Sequence, residues 1–205
     1  TPQGEVPTYS QAVFAPKRSA YCVCVFVINE GDKIRSQLQK MAKHAKTCDI
    51  IIADGGSTDG SLAPDFLRSC GVRALLTKTG PGYLSAQMRM AFHFALEENY
   101  DGVITIDGND KDNVEAIPHF AARLADGYDH VQGSRFIPGG RHANTPLSRL
   151  LAVRLVHAPL VSLAARTHYT DTTNGFRAYS RRLLCDPRVA PFRSVFDRYE
   201  LHYYL

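Results

Sequence analysis

A short acidic segment carries the side chains with the clearest potential for chemistry. It directly follows an apolar run at residues 103–106 and consists of Asp107, Gly108, Asn109, Asp110, Lys111 and Asp112. Carboxylate and amide oxygens are the hard ligands that Mg²⁺ and Mn²⁺ prefer. A solvated acidic turn is the alternative, and an EF-hand is excluded because its ligand spacing and its loop glycine are missing. Asp107 is therefore a candidate metal anchor.

The elements that must position this segment alternate between strand and helix. Continuous apolar runs at residues 22–28, 50–53, 72–76 and 103–106 predict buried strands, and residues 130–132 predict a fifth. Apolar residues at helical spacing lie between these runs, as at Ile34, Leu38 and Met41. The alternation predicts an α/β fold with a Rossmann-like, mostly parallel central sheet and helices on both faces.

Polar residues follow three of the predicted strands at the point where each strand ends. They are Asn29, Asp54 and Asp107. Ligands of open α/β sheets bind beyond the carboxyl ends of the strands. We therefore expect these three side chains to converge on one edge of the sheet and to form a binding site.

The remaining chain suggests one domain with an arm. Residues 1–20 are polar and contain three prolines, which predicts an extended N-terminal arm before a single domain over residues 21–205. The aromatic, helix-like end of the chain suggests a truncation there. An amphipathic helix at residues 147–165, broken or kinked at Pro159, is expected either to pack on the sheet edge or to lie on a membrane surface.

Composition narrows the classes of function. The chain has 205 residues, 44% of them hydrophobic, and a formal net charge of +4, as in an ordinary globular domain. It contains no apolar run of about 18 residues that would cross a membrane. The basic residues lack the patterns of nucleic-acid-binding motifs, so we expect no nucleic-acid partner. We expect a cytoplasmic location, with the cytoplasmic face of a membrane as the alternative.

The polar segments, in this order, resemble those of glycosyltransferase family 2, most closely the polyprenyl- or dolichyl-phosphate mannose and glucose synthase branch. Asn29-Glu30 matches the end of the family's first strand motif, and residues 54–60 match its Asp-Asp-Gly-Ser-Thr-Asp-Gly motif with Gly55 replacing the second Asp. The family's metal motif, Asp-x-Asp, falls on residues 107–109, where Asn109 replaces the second Asp.

Three later segments extend the resemblance over roughly residues 21–185. A glycine-rich stretch begins at Gly80, and Gly-Ser-Arg ends at Arg135 and is followed by Gly139, Gly140 and Arg149. Residues 171–177 resemble the branch's Asp-x-Thr-Ser-Gly-Phe-Arg. The resemblance implies a GT-A fold and transfer of a sugar, with inversion, from a UDP- or GDP-sugar to a polyprenyl phosphate or a glycan. It also implies a possible peripheral association with a membrane.

The resemblance assigns a role to each matching residue. It implies that the nucleotide-binding residues are Asn29, Glu30, Asp54, Gly80 and Asp107. Mg²⁺ or Mn²⁺ would be held by Asp107 together with Asn109, Asp110 or Asp112.

The acceptor and catalytic roles follow in the same way. Arg135 and Arg149 would bind the acceptor's phosphate, Asp171 would lie near the acceptor, and Arg177 would lie near the donor diphosphate. Asp171 is the candidate general base if the acceptor is a sugar hydroxyl, whereas an anionic phosphate acceptor needs no strong base.

Two alternatives remain. A nucleotidyltransferase can share this sheet, but it would normally carry a Gly-rich signature with a lysine just after the first strand, where this chain has Asn29-Glu30-Gly31-Asp32-Lys33. A non-catalytic module that binds nucleotide sugars would explain Gly55 and Asn109. Metal-dependent nucleotide binding and sugar transfer would distinguish these functions.

Overall fold

The structure, a computed structural model, describes residues 5–137, 155, 157–166 and 169–205. Its sheet contains seven strands, which are β1 Tyr9–Val13, β2 Tyr21–Val27, β3 Asp49–Asp54, β4 Val72–Lys78, β5 Gly102–Asp107, β6 His130–Gln132 and β7 Arg177–Ser180. Their spatial order is β1-β4-β3-β2-β5-β7-β6. The central strands β4, β3, β2 and β5 are parallel, which confirms the predicted α/β sheet.

Helices cover both faces of the sheet. They are α1 Asp32–Met41, α2 Pro64–Ser69, α3 Leu84–Glu97, α4 Ile117–Ala125, α5 Ala158–Ala165, α6 Arg181–Cys185 and α7 Glu200–Tyr204, with 3₁₀ turns at Ala42–His44 and Val114–Ala116. Residues of α1, α2 and α4 build one hydrophobic core, and residues of α3, α6 and α7 build the other. The sheet lies between these two cores.

Strand β2 shows why the apolar run is continuous. Cys22, Cys24 and Phe26 face the core that contains α3, whereas Val23 and Val25 face the core that contains α1. Successive side chains of a strand point to opposite faces, so a strand buried on both faces needs apolar residues at every position. This pattern fits the interior position of β2, which lies between β3 and β5.

The structure differs from the sequence predictions at the two ends of the sheet. Strand β7 was not predicted, and it lies between β5 and β6, antiparallel to both. Its sequence, Arg-Ala-Tyr-Ser, contains neither a continuous apolar run nor a strict alternation of apolar and polar residues. Within the predicted arm, β1 pairs antiparallel with β4, so residues 9–13 belong to the sheet.

The predicted helix at residues 147–165 is described only in its last part. Helix α5 begins at Ala158, and Pro159 lies in its first turn. Residues 155 and 157, directly before it, have π-helical backbone. The predicted break or kink at Pro159 stays a prediction, because most of the preceding residues of this segment lie outside the described ones. No helix among the described residues has the length and the apolar character needed to cross a bilayer.

Candidate active site

The sheet register brings the predicted strand-end residues to one edge. Val27, the last residue of β2, pairs with Asp54 of β3, and Phe26 pairs with Asp107 of β5. Asn29 follows β2 by two residues. Asp54 and Asp107 therefore flank the carboxyl end of β2, with Asn29 beyond it.

Asn29 connects the loops that follow β2 and β3. It adopts a left-handed conformation, with φ of 51°, and its Oδ1 accepts a hydrogen bond of 2.8 Å from the Thr58 N–H. Its own N–H donates to the Ser57 hydroxyl at 3.0 Å. A second link runs from the Gly31 N–H to the Asp59 carboxylate at 2.8 Å. These bonds hold the two loops as one rim.

Asp54 is 3% exposed and stabilises the start of its own loop. One carboxylate oxygen accepts hydrogen bonds from the Ser57 N–H at 2.8 Å and from the Ser57 hydroxyl at 2.7 Å. This is the Asx type of turn that Asp favours after a strand. The structure thus places Asp54 beneath the rim.

Gln87 of α3 explains why glycine replaces the family's second Asp at position 55. Its side-chain Nε2 donates at 3.1 Å to the carbonyl oxygens of Val27 and of Ala53. A Cβ atom at Gly55 would lie 2.9 Å from that Nε2. An aspartate would force the buried Gln87 to move, so glycine and Gln87 fit each other here.

Gln37 of α1 anchors the acidic turn after β5. Its Nε2 donates to the Asp107 carbonyl at 3.0 Å, and its Oε1 accepts from the Asp110 N–H at 2.8 Å. The Asp110 carboxylate accepts hydrogen bonds from Ser36 at 2.9 Å and from Lys40 at 2.6 Å. Asp110 is therefore bound to α1, on the side of the turn that faces the helix.

The side chain of Asp107 lies against Gly175. A Cβ atom at Gly175 would lie 3.3 Å from both carboxylate oxygens. Burial raises the pKa of Asp107, the neighbouring Glu30 raises it further, and Lys111 partly opposes this rise. The Oδ1 of Asn109, in contrast, accepts a hydrogen bond of 3.2 Å from the Lys111 N–H.

Asp112 is the second carboxylate beside Asp107. Burial, reinforced by the charge of Asp107, raises the pKa of Asp112 to about 6. Arg135 and a hydrogen bond from the Asn174 side chain oppose this rise. Two half-buried carboxylates thus repel each other here, an arrangement that a cation would stabilise.

Arg135 and Asp171, the two residues expected near the acceptor, form an ion pair. Arg135 Nε donates to one carboxylate oxygen at 2.7 Å, and Nη2 donates to the other at 3.0 Å. Burial raises the pKa of Asp171, but the bonds from Arg135 and the Thr173 N–H outweigh it and leave the pKa below its usual value. The structure therefore brings these two predicted site residues into direct contact.

Arg177 is buried inside the protein, at 4% exposure. Its Nη2 donates to the Thr172 carbonyl and its Nε to the Asn174 carbonyl, both at 3.0 Å, while Nη1 donates to the His202 carbonyl. The guanidinium thus supports the loop before β7 and joins it to α7.

Gly80, another predicted site residue, lies apart from these contacts. The Gly80 N–H donates to the Thr8 carbonyl at 2.9 Å, and a Cβ atom at Gly80 would lie 2.7 Å from the Thr8 hydroxyl, so Gly80 packs against the N-terminal segment. Arg149, with Gly139 and Gly140, lies outside the described residues.

The sequence analysis did not identify Gln37 and Gln87, although both leave a signal. Each amide lies among apolar residues at helical spacing, Gln37 beside Ile34 and Leu38, and Gln87 beside Leu84 and Met88. A polar residue on the buried side of a helix needs hydrogen-bond partners. These positions could therefore have been marked as internal anchors.

Among the described residues, no three His, Cys, Asp or Glu side chains are grouped so that they could hold a metal by themselves. A cavity of about 590 Å³ lies away from the predicted site residues. Its lining includes the ion pairs Asp129–Arg182 and Asp186–Arg188. The charges in that cavity are thus already compensated.

Comparison with known proteins assigns the chain to a family. The model of glycosyl transferase family 2 matches residues 22–186. An undecaprenyl-phosphate mannosyltransferase of Micrococcus luteus is 28% identical, over 74% of this chain and 62% of its own length. A polyprenol monophosphomannose synthase of Mycolicibacterium smegmatis is 28% identical, over 66% and 52%. A dolichyl-phosphate hexose transferase of Haloferax volcanii is 31% identical, over 77% and 65%.

Solved structures show the same fold. Glucosyl-3-phosphoglycerate synthase from Mycobacterium tuberculosis, in complex with Mn²⁺, UDP and glucosyl-3-phosphoglycerate, superposes with a TM-score of 0.57 at 19% identity, over 80% of this chain and 57% of that chain. The fold is therefore the GT-A fold that the resemblance implied. The chain spans about half to two thirds of the length of the relatives that it matches. With a family match over most of its residues, the chain belongs to glycosyl transferase family 2.

Proposed function

We propose that this chain transfers a sugar from a UDP- or GDP-sugar to a polyprenyl phosphate or a glycan, with inversion at the anomeric carbon. The observation that carries the proposal is the pair of neighbouring carboxylates, Asp107 and Asp112, at the sheet edge where the Asn29 and Asp54 loops meet. Ligands of open α/β sheets bind at this edge. The named relatives act on polyprenyl or dolichyl phosphates.

The donor nucleotide would lie on the rim built by Asn29 and Asp54. Their hydrogen bonds to Ser57 and Thr58 fix the two loops before any ligand arrives, so little ordering entropy would be lost on binding. Glu30 lies close enough to Asp107 to affect its pKa, and it would face the same ligand. Gly80 follows β4 at the same edge.

The residues present fit a divalent cation. Mg²⁺ is commonly held by one or two protein carboxylates together with phosphate oxygens of the substrate, so a cage of three protein ligands is not needed. Asp107 and Asp112 supply that pair. Burial and the charge of Glu30 raise the pKa of Asp107, and burial and the charge of Asp107 raise the pKa of Asp112. When bound, Mg²⁺ or Mn²⁺ would neutralise the charge of the diphosphate leaving group.

Asp112 is the preferred partner of Asp107. Asp110 already binds Ser36 and Lys40, so to reach a cation it would have to break an ion pair of 2.6 Å. The Asn109 amide oxygen accepts from the Lys111 N–H, and an amide is a weaker ligand than a carboxylate. We therefore assign the metal to Asp107 and Asp112, with Asn109 and Asp110 as the alternatives that the resemblance suggested.

The acceptor would approach Arg135, with Arg149 as a second proposed phosphate contact. Arg177 is poorly placed for a direct contact with the donor diphosphate, because three of its nitrogens donate to carbonyls inside the protein. We propose that Arg177 acts by holding the loop of Thr172 and Asn174 in place.

Helix α5 gives the proposed lipid acceptor a surface to lie on. Leu155, just before this helix, and Leu160 and Leu163 within it are 68%, 63% and 78% exposed. His157, which directly precedes the helix, contacts the acceptor side of the site through a hydrogen bond of 2.5 Å with Thr172, the neighbour of Asp171. We propose that this apolar surface rests on a membrane that contains the lipid phosphate.

Titration calorimetry with UDP and GDP, each with and without Mn²⁺, tests the donor and metal sites. We expect one nucleotide to bind, and to bind at least tenfold more tightly with Mn²⁺. Radiolabelled UDP-glucose or GDP-mannose, offered with farnesyl phosphate and then with a methyl glycoside, tests transfer. Nucleotide binding without transfer to either acceptor would favour the non-catalytic module, and pyrophosphate release from a nucleoside triphosphate and a sugar phosphate would favour the nucleotidyltransferase.

A further inference from the structure

We propose that Asp171 is a positioning residue that holds Arg135 ready for an acceptor that is already anionic, rather than a general base that deprotonates a hydroxyl. The inference rests on the proposed sugar transfer and deepens it, because it selects a phosphate acceptor over a neutral sugar. It is carried by the geometry of the pair formed by Asp171 and Arg135.

Every accessible face of the Asp171 carboxylate is used within the protein. Its Oδ2 accepts from Arg135 Nε at 2.7 Å and from the Arg135 N–H at 3.3 Å. Its Oδ1 accepts from Arg135 Nη2 at 3.0 Å and from the Thr173 N–H at 3.1 Å. The side chain is 0% exposed. A general base must reach the proton that it removes, and this carboxylate has no surface on which a substrate could lie.

Arg135, in contrast, keeps a free end. Its side chain is 26% exposed, and its Nη1 donates no hydrogen bond to any described residue. Its Nη2 is held from a second side by the Thr173 hydroxyl at 2.7 Å. A guanidinium fixed in this way presents its remaining N–H groups in one direction, which lowers the entropy lost when it binds a phosphate.

The other carboxylates of the site do not supply a base. Asp107 and Asp112 are the proposed metal ligands, and Asp110 is bound to Lys40. Glu30 forms an ion pair of 3.2 Å with Lys33. Near Arg135 the site thus offers free guanidinium N–H donors to an anion and lacks an obvious proton acceptor.

The chemical step balances without a proton transfer. An oxygen of the acceptor phosphate forms a bond to the anomeric carbon, while the bond from that carbon to the β-phosphate oxygen breaks. The electron pair of the broken bond leaves with the nucleoside diphosphate. A hydroxyl acceptor would also have to lose a proton, and Asp171 is not accessible to take it.

Steady-state kinetics of Asp171→Asn tests the inference. The acceptor is farnesyl phosphate, and the donor is the nucleotide sugar that the unmodified chain uses. Asparagine keeps the size of the side chain but weakens the hold on Arg135. We expect the KM for farnesyl phosphate to rise about tenfold, as for the loss of a charged hydrogen bond, and kcat to stay within about threefold. Loss of a general base would instead lower kcat by about 10²- to 10⁴-fold with the acceptor KM unchanged, and this result would overturn the inference.

A double-mutant cycle checks that Asp171 acts through Arg135. We expect Arg135→Gln to raise the acceptor KM, and Arg135→Gln/Asp171→Asn to be no worse than Arg135→Gln alone. Additive losses in kcat would contradict the inference. The control is Asp126→Asn, which breaks an exposed Arg–Asp pair on α4 and should leave both constants unchanged.

A second variant covers the case in which Asp171→Asn does not fold. Thr173→Val removes the hydroxyl that accepts from Arg135 Nη2 at 2.7 Å and donates to Asp171 Oδ1 at 3.2 Å, so it should raise the acceptor KM severalfold without changing kcat. An unchanged acceptor KM would overturn the inference. Transfer by the unmodified chain to a methyl glycoside in place of farnesyl phosphate would also overturn it.

The failure of the proposed function is distinguishable from the failure of this inference. A chain that binds neither UDP nor GDP with Mn²⁺ would overturn both. A chain that binds the nucleotide and transfers sugar to farnesyl phosphate, but loses kcat in Asp171→Asn, would overturn only the inference.

Discussion

The carboxylate of Asp107 lies directly against the backbone of Gly175. A Cβ atom at Gly175 would lie 3.3 Å from each carboxylate oxygen, closer than most real Cβ contacts. Thr105 holds the Gly175 carbonyl at 3.0 Å from the neighbouring strand, so the glycine cannot move away easily. Asp107, the proposed metal anchor, thus contacts the loop before β7 at Gly175, which has no side chain.

Gly175→Ala should therefore weaken the proposed metal site. The added methyl group would press on Asp107 and reduce its contact with a polar ligand, so we expect metal-dependent nucleotide affinity to fall about tenfold, or roughly 1.4 kcal/mol. Calorimetry with Mn²⁺ and the tighter-binding nucleotide measures this change. Lys46→Ala, at an exposed position remote from the loop, is the control and should retain full affinity. Unchanged affinity in Gly175→Ala would contradict the placement of the metal at Asp107.

Single amide variants distinguish the candidate metal ligands. We expect Asp107→Asn to abolish the effect of Mn²⁺ on nucleotide binding and Asp112→Asn to lower Mn²⁺ affinity at least tenfold. Asp110→Asn should change it less than about threefold, because that carboxylate binds Ser36 and Lys40. Electron paramagnetic resonance of free Mn²⁺ measures the binding without any activity assay. A larger loss in Asp110→Asn than in Asp112→Asn would contradict our assignment.

Gln37→Leu should loosen the acidic turn. The substitution keeps the volume but leaves the Asp107 carbonyl and the Asp110 N–H without their partner, which costs about 1–3 kcal/mol of unfolding free energy. Urea denaturation measures the loss. The matched control is Gln39→Leu, at an exposed position of the same helix, and it should change stability by less than about 0.5 kcal/mol. Equal effects of the two variants would show that Gln37 does not anchor the turn.

His202 should make stability depend on pH. Burial, and then the charge of Arg177, lowers the pKa of His202 from its usual value of 6.5 to about 4. The unfolded chain therefore binds a proton between pH 6.5 and 4 that the folded chain does not, so stability is fully present above pH 6.5 and falls as the pH decreases. His202→Asn should reduce this slope by up to about 1.4 kcal/mol per pH unit.

Urea denaturation across pH 4.5 to 7.5 measures that slope. His130, whose pKa burial and Arg177 also lower to about 4, provides a second test through His130→Asn. Each variant should reduce the slope of the unfolding free energy against pH in this range. If neither variant changed the slope of stability against pH, protonation of these two histidines on unfolding would not be the cause of that slope.

The leucines of α5 should decide whether the chain binds membranes. Leu160→Ser/Leu163→Ser removes two exposed apolar side chains, each worth about 1.5–3 kcal/mol on burial, so liposome binding should fall more than tenfold. Sedimentation with vesicles of anionic and neutral phospholipids measures binding. Tyr128→Ser, which removes an exposed ring before β6, is the control and should bind as before. Equal loss in the control would contradict a specific role for α5.

Local patterns in the sequence predicted most of the fold and the location of the site. Four apolar runs became strands, because residues buried on both faces of a sheet must be apolar at each position, and residues 130–132 formed the fifth predicted strand. The order of strands and helices then required a parallel sheet, and in such a sheet Asn29, Asp54 and Asp107 follow strands that point to one edge. The family motifs supplied the proposed chemistry.

Only the tertiary structure decided how the side chains of this edge pair. The sequence places Asp110 and Asp112 in one turn, yet one binds α1 and the other lies beside Asp107. Arg135 and Asp171 are 36 residues apart and still form one ion pair. Contacts of this kind depend on which elements pack together, and no local period of apolar or polar residues records them. The sequence thus determined which residues reach the edge, and packing decided which of them are left to bind a ligand.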